Sequence, residues 1–320
     1  PGATVRFAFG AAPSNASGHV LSDSAVVTDS AGRANVRVTI GDRTGLYSVV
    51  ARTNALPSTV PALTITATPS QIASVIRSQG ASQQKQILTF ADSSCVVRVL
   101  DSLGNIVSGV PVDFAIVSAP GGAAQHMLTA TADTTDANGL AETQLMLGTK
   151  IGHYFVAAST MSLSGTQVFF DVLATHGTAS DMLTAAPVTR DTVSRQLTPF
   201  TVAVVDAQDN PIPNATVRFV LSSVPSGSVG QGLDTAIATT DSSGQVSVRL
   251  TLGNRVGTYI VTATSDELSG VTRTFQATAI AASVAVLAQQ QGDGQQQQIF
   301  RTLATALSTR VADRFGNPVP

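Results

Sequence analysis

The 320-residue chain contains one cysteine, Cys95, no tryptophan, three tyrosines, and only two lysines (Lys85, Lys150) and two glutamates (Glu142, Glu267). A single cysteine excludes an intrachain disulfide framework and any multi-cysteine zinc site, so stability must come from packing. Lys and Glu ordinarily fill the exposed faces of long amphipathic helices, and their scarcity argues against such helices. Charged residues make up 12% of the chain, with 18 basic and 20 acidic residues. That balance leaves no basic face for nucleic acid and does not fit a solvated disordered tail. No apolar run reaches the roughly 18 to 20 residues needed to span a bilayer; the longest weakly polar stretch, ATAIAASVAVLA from Ala277, is interrupted by Thr and Ser. Pro1 opens directly on strand-like sequence with no basic or apolar leader, so the N-terminus does not reveal localisation. No H-E-x-x-H, C-x-x-C or G-x-S-x-G occurs, and no catalytic, cofactor-binding or metal-ligating residue is assigned.

What is present is a repeat. TDSAGRANVRVTIGDRTGLYSVVA from Thr28 returns as TDANGLAETQLMLGTKIGHYFVAA from Thr135 and as TDSSGQVSVRLTLGNRVGTYIVTA from Thr240, at offsets of 107 and 105. All three tyrosines, Tyr47, Tyr154 and Tyr259, share one phase, as do the glycine pairs Gly41/Gly45, Gly148/Gly152 and Gly253/Gly257. A second block, DSLGNIVSGVPVDF from Asp101, recurs as DAQDNPIPNATVRF from Asp206 and DRFGNPVP from Asp313, while PGATVRF opens the chain. With 43% hydrophobic residues, the chain is long enough for two or three cored units.

Within each unit the period is two. Val246, Val248, Leu250 and Leu252 alternate with polar residues, as do Val217, Phe219 and Leu221, and Val5, Phe7 and Phe9, which predicts strands with one buried face. Asp29 to Gly32, Asp101 to Gly104, Asp136 to Gly139 and Asp241 to Gly244 read as turns, because aspartate caps backbone amides two residues on. Gly2, Gly109 and Asn214 occupy one phase and predict a left-handed residue there. The third unit is expected to hold about seven strands near 181–188, 200–206, 216–224, 234–240, 245–252, 257–265 and 271–280, which suggests an immunoglobulin-like sandwich.

The succession D-x-x-G-N-P-V-P-G, V-x-F, T-D-x-x-G and L-T-x-G-x-x-x-G-x-Y-x-V-x-A resembles the bacterial immunoglobulin-like group 1 repeats of the invasin and intimin class of surface proteins. DSLGNIVSG lacks both prolines of that turn, and Asp209 takes its glycine position in the third unit. The resemblance implies an all-β, linear array of tandem Ig-like β-sandwich domains in an extracellular or cell-surface bacterial protein, non-enzymatic, acting as a stalk, fibre or filament. The expected division is 1–68, the C-terminal part of one repeat; 69–175 and 176–280, complete repeats; and 281–320, the N-terminal part of the next. The halves would be completed by further repeats of a longer tandem chain, the favoured reading, or by separate chains through strand addition. The expected partners are therefore neighbouring copies or further repeats, in a homopolymeric fibre. With short linkers, each unit would add about 35 to 45 Å along an axis.

Other chemistry is weaker. Cys95 aligns with Phe200 and Leu307 and reads as core filling. His19, His126, His153 and His176 are read as unrelated in phase and as surface or loop residues. Calcium between units is disfavoured because no D-x-D cluster occurs and each aspartate named above already has a turn role. Lys-to-Asn isopeptide staples are disfavoured because the third unit has no lysine. The sequons at Asn15 and Asn214 are weak signals. The glutamine-rich loops from Gln79 and Gln289 are either solvated or lateral amide ladders between fibres. The rival functional reading is an adhesin segment gripping carbohydrate or host protein through its loops, which would call for an aromatic platform at a loop tip, yet the chain has no Trp and its three Tyr sit in one repeated strand.

Overall fold

A computed structural model describes residues 1–54, 62–185 and 190–320. Among them every regular element is a strand, and the chain divides into two compact bodies, Pro1–Thr175 and His176–Pro320. The second repeat shows the plan. Ile72–Gln79, Cys95–Asp101 and Leu140–Thr143 form one antiparallel sheet. The facing sheet runs in the order Ala132–Thr134, Pro111–Ser118, Gly152–Ser159, Gln167–Thr175 and Gln83–Gln86. Its last strand is added parallel, Val172 opposite Gln83 and Thr175 opposite Gln86, so the chain crosses from one sheet to the other between Gln79 and Gln83. The alternating inward residues meet in one core that includes Val97, Val99, Val112, Phe114, Tyr154, Val156, Phe170 and Val172. Each fully buried side chain of this size contributes about 1.5 to 3 kcal/mol, and a one-residue slip would turn the row outward.

The third repeat has the same two sheets, with Ala179–Ala185, Phe200–Asp206 and Gln245–Val248 facing a five-stranded sheet that ends in the parallel strand Arg190–Thr192. Its described residues hold ten strands rather than about seven. The expected strand 245–252 is broken at Arg249 into Gln245–Val248 and Leu250–Thr251, which join different sheets. The cause is local: the Arg249 amide donates to the Asp234 carboxylate and the Asp234 amide donates back to the Arg249 carbonyl, which draws the chain out of the first sheet. The inward row survives the break, with Val246, Val248, Leu250 and Leu252 all buried. Arg190–Thr192 and Gly232–Leu233 were not expected, and residues 186–188 of the first expected strand lie outside the described residues.

The leading segment forms a sheet in the order Ala25–Val27, Thr4–Ala11, Gly45–Thr53 and Leu63–Ala67. The trailing segment forms the antiparallel hairpin Val286–Gln291 with Ser308–Ala312. Gly2, Gly109 and Asn214 have φ of +90°, +75° and +62°, as their shared phase predicts.

Candidate functional site

The most specific arrangement of polar groups lies where one repeat meets the next, and it begins with the repeated tyrosine. Tyr47, Tyr154 and Tyr259 are fully buried. A buried phenol needs a partner, and each hydroxyl donates at 2.9 Å to a carbonyl four residues earlier: Arg43, Lys150 and Arg255. The glycines of the motif make that bond possible. A Cβ at Gly148 would lie 2.9 Å from the Tyr154 hydroxyl and 2.5 Å from the Ala124 carbonyl, and Gly45, Gly152 and Gly257 have φ of +128°, +126° and +130°. The G-x-x-x-G-x-Y motif therefore encodes a loop pinned from beneath by its own tyrosine.

The residue after the first glycine fixes the loop from the side. Asp42 accepts from the Ser17 amide at 2.7 Å and the Ser17 hydroxyl at 2.9 Å; at the same phase the Thr149 hydroxyl accepts from the Ala124 amide at 3.1 Å, and the Asn254 side-chain oxygen from the Val229 amide at 3.0 Å. Asp, Thr and Asn are interchangeable here because each offers a side-chain oxygen. The Ser17 amide and hydroxyl hold the Asp42 carboxyl below its ordinary pKa.

The other half of the joint is the D-x-x-x-N turn of the following repeat. The Asp101 carboxylate accepts from the Leu103 amide (2.9 Å), the Asn105 amide (2.8 Å), the Ser70 amide (3.0 Å) and the Asn105 side chain (3.0 Å). Burial alone pushes this pKa up, but the hydrogen bonds from Asn105, Ser70 and Leu103 together outweigh it and hold the group below the carboxylate range. Asn105, so fixed, faces the tyrosine-pinned loop: its side-chain amide donates to the Asp42 carbonyl at 3.0 Å, and its side-chain oxygen accepts from the Thr44 amide at 3.3 Å. The second body repeats the clasp, with Asn317 donating to the Asn254 carbonyl at 2.9 Å and accepting from the Val256 amide at 3.3 Å. Asp313, fully buried, holds Asn317 as Asp101 holds Asn105. One side chain thus imitates a rung of a β-ladder between repeats, using both faces of its amide.

No family model and no curated protein matches the chain. Solved structures do. The Escherichia coli adhesin FdeC is similar over 86% of this chain and 85% of its own, at 18% identity and a TM-score of 0.50. Yersinia pseudotuberculosis InvD is similar over 86% and 87%, at 15% identity and a TM-score of 0.48. Invasin, a bacterial integrin-binding protein, is similar over 77% and 48%, at 19% identity and a TM-score of 0.35. Bacterial adhesins of the invasin and intimin type are among the similar structures, beside a surface layer protein and a glycosyl hydrolase of family 2. The fold is a tandem array of Ig-like sandwiches, as the sequence resemblance implied.

Within these Ig-like repeats, one sequence reading needs correction. His19 and His126 do share a phase, since they stand one repeat apart, and each packs on its own tyrosine with ring centroids 5.9 Å (His19–Tyr47) and 5.7 Å (His126–Tyr154) apart. Gln231 takes that place in the third repeat, where the Ser228 hydroxyl bridges it to the Tyr259 hydroxyl. His153 pairs with Asp171 at 2.7 Å on the surface, and His176 contacts the Gly177 carbonyl. Cys95 is fully buried, and burial pushes its thiol pKa up to about 11, which makes it inert. Gln83 and Gln295 are internal clamps: Gln83 donates to the Ser93 carbonyl at 2.9 Å and accepts from its amide at 2.7 Å, and Gln295 does the same with Thr305 at 2.9 and 2.8 Å. These two side chains are therefore engaged within their own loops. Among the described residues no three His, Cys, Asp or Glu side chains gather as a metal site, and no helix is long and apolar enough to cross a membrane.

Proposed function

We propose that this chain is a spacer segment of an extracellular bacterial fibre or stalk, non-enzymatic, divided into 1–68, 69–175, 176–280 and 281–320, and working by mechanical continuity between Ig-like repeats. The carrying observation is the asparagine clasp, which recurs with the same atoms at Asn105 and Asn317 and spends a buried side-chain amide of each turn on joining repeats. A clasp that fixes two backbone groups of the neighbour resists both bending and twisting at the joint. Homopolymeric assembly and a bacterial surface location are part of the reading; the adhesin neighbours support the second. The test is negative-stain imaging of the native material: an axial period matching the stacked repeats supports the spacer, and a rise unrelated to any multiple of the repeat overturns it.

One observation favours an adhesin of a different kind, binding through a sheet face rather than through its loops. Phe169 is half exposed on an outer sheet face, where the third repeat has Thr274, so the scaffold does not require an aromatic there. Glycan-array or receptor binding that is lost in Phe169→Thr would support that role; no binding would leave the spacer reading alone.

A further inference from the structure

Within the body His176–Pro320, a polar cleft of about 380 Å³ lies beside the joint of the third and fourth repeats. Thr192, Ser194 and Arg195 line it from the third repeat, and Ser283 and Arg314 from the fourth. Among the described residues no carboxylate lines the cleft, and none pairs with either guanidinium. Asp313 opens the turn that carries Arg314, but its carboxylate is fully buried and spent on the amides of Ala282, Phe315 and Asn317. Asp191 likewise turns to the Thr192 amide, at 2.7 Å. The Arg314 guanidinium lies over the Phe315 ring, 4.6 Å from its centroid, which steadies the planar fork. Arg255 donates to the Phe315 carbonyl at 3.4 Å and adds a third positive charge beside the same turn.

The scaffold does not require these arginines. Leu88 and Ser194 share a left-handed φ of +58° and +64°, which sets Thr89 at the phase of Arg195; Gly104 and Gly316, at +78° and +81°, set Ser102 at that of Arg314. Arg314 and Ser283 are exposed, and so are Ser102 and Gln71 at their phases in the complete second repeat, so the exposure belongs to the position within the repeat. We propose that this cleft binds an acidic polysaccharide, seating one of its sulfate or carboxylate groups between Arg195 and Arg314. Two guanidiniums that share a cleft without a carboxylate repel one another, and an oxyanion placed between them relieves that repulsion while accepting parallel N–H bonds from each fork. The Ser194 and Ser283 hydroxyls flank the pair and suit the neutral hydroxyls of a sugar ring. The volume falls in the roughly 300 to 1,000 Å³ range of small-ligand clefts. The chain as a whole carries a net charge of −2, so the positive charge is local and does not form the extended cationic track that nucleic acid needs.

The site goes beyond the spacer reading and does not depend on it. Its test is calorimetric and NMR titration of the 320-residue chain with a heparin hexasaccharide, which carries both sulfate and carboxylate groups, beside maltohexaose as the neutral sugar and inorganic phosphate as the free anion. The hexasaccharide is expected to bind, to shift the amide signals of Ser194, Arg195, Ser283 and Arg314, and to lose affinity as salt is raised. Arg195→Gln and Arg314→Gln, both at exposed positions, should each raise Kd about tenfold with an unchanged melting midpoint. Arg6→Gln, which removes the same charge from an exposed strand position of the first repeat, should leave Kd unchanged. A wild-type chain that does not bind the hexasaccharide would overturn the site. Equal losses in all three variants would overturn it as well, since binding would then follow overall charge. Maltohexaose or phosphate binding as tightly as the hexasaccharide would overturn the acidic polysaccharide as its ligand.

Discussion

Removing the side chain of Asn105 probes the joint without touching either core. Asn105→Ala deletes the bonds to the Asp42 carbonyl and the Thr44 amide. At about 0.5 to 1.5 kcal/mol for each hydrogen bond, the contact between the first and second repeats should weaken by about 1 to 3 kcal/mol. The Asp101 carboxylate is not orphaned, because amides of Ser70, Leu103 and residue 105 still donate to it. The readout is amide hydrogen exchange at Thr44, whose N–H donates to Asn105 across the joint. With 1.4 kcal/mol equal to a factor of ten, exchange there should accelerate about 5- to 150-fold. Amides of Val96–Leu100 should keep their protection, since that stretch pairs within its own repeat. Unchanged protection at Thr44 would refute the clasp. An equal loss throughout residues 69–175 would show instead that Asn105 acts only on its own repeat.

Tyr259→Ala should destabilise the third repeat by about 3 to 5 kcal/mol in denaturant melts, and Tyr259→Phe by about 1 kcal/mol through loss of the bond to the Arg255 carbonyl; an unchanged midpoint for both would contradict the pinned loop. Asn214, with φ of +62°, should tolerate Gly but lose about 1 to 2 kcal/mol as Asn214→Val, again read by denaturant midpoint. The carboxyls of Asp101, Asp206 and Asp313 are each raised by burial but held lower overall by their hydrogen bonds. Depressed native values mean stability that is complete above the unfolded value of about 3.9 and is lost as pH falls through the native values. Melting temperature should therefore hardly respond to these groups between pH 5 and 8 and should fall below about pH 4, a fall that Asp101→Asn should reduce.

The sheets were legible because burial has a two-residue period and the repeat shows it three times: Val217 and Phe219 are inward on both criteria. The buried Cys95 followed from its alignment with Phe200. The break at Arg249 was not legible, since the inward row passes through it unchanged and only the Asp234 contact reveals the change of sheet. The joint was half visible. Asp101, Asp206 and Asp313 were read as turn formers, and the glycine–tyrosine spacing stood out, but Asn105, Asn210 and Asn317 were passed over. Their signal is an asparagine held four residues after each aspartate while the residues between vary. Its meaning depends on a long-range contact, Asn105 with residues 42 and 44, that spacing within one turn cannot disclose. The histidine–tyrosine contacts were missed because two of four histidines follow the repeat and two do not.

The central claim is that the clasp fixes one repeat against the next. It is tested most directly by the distance distribution between spin labels placed on Arg6 and Asp113, outward positions in the first and second repeats of the body Pro1–Thr175. The account predicts one narrow distance in the wild type that broadens in Asn105→Ala. A distribution already broad in the wild type, and unchanged by the substitution, would contradict it.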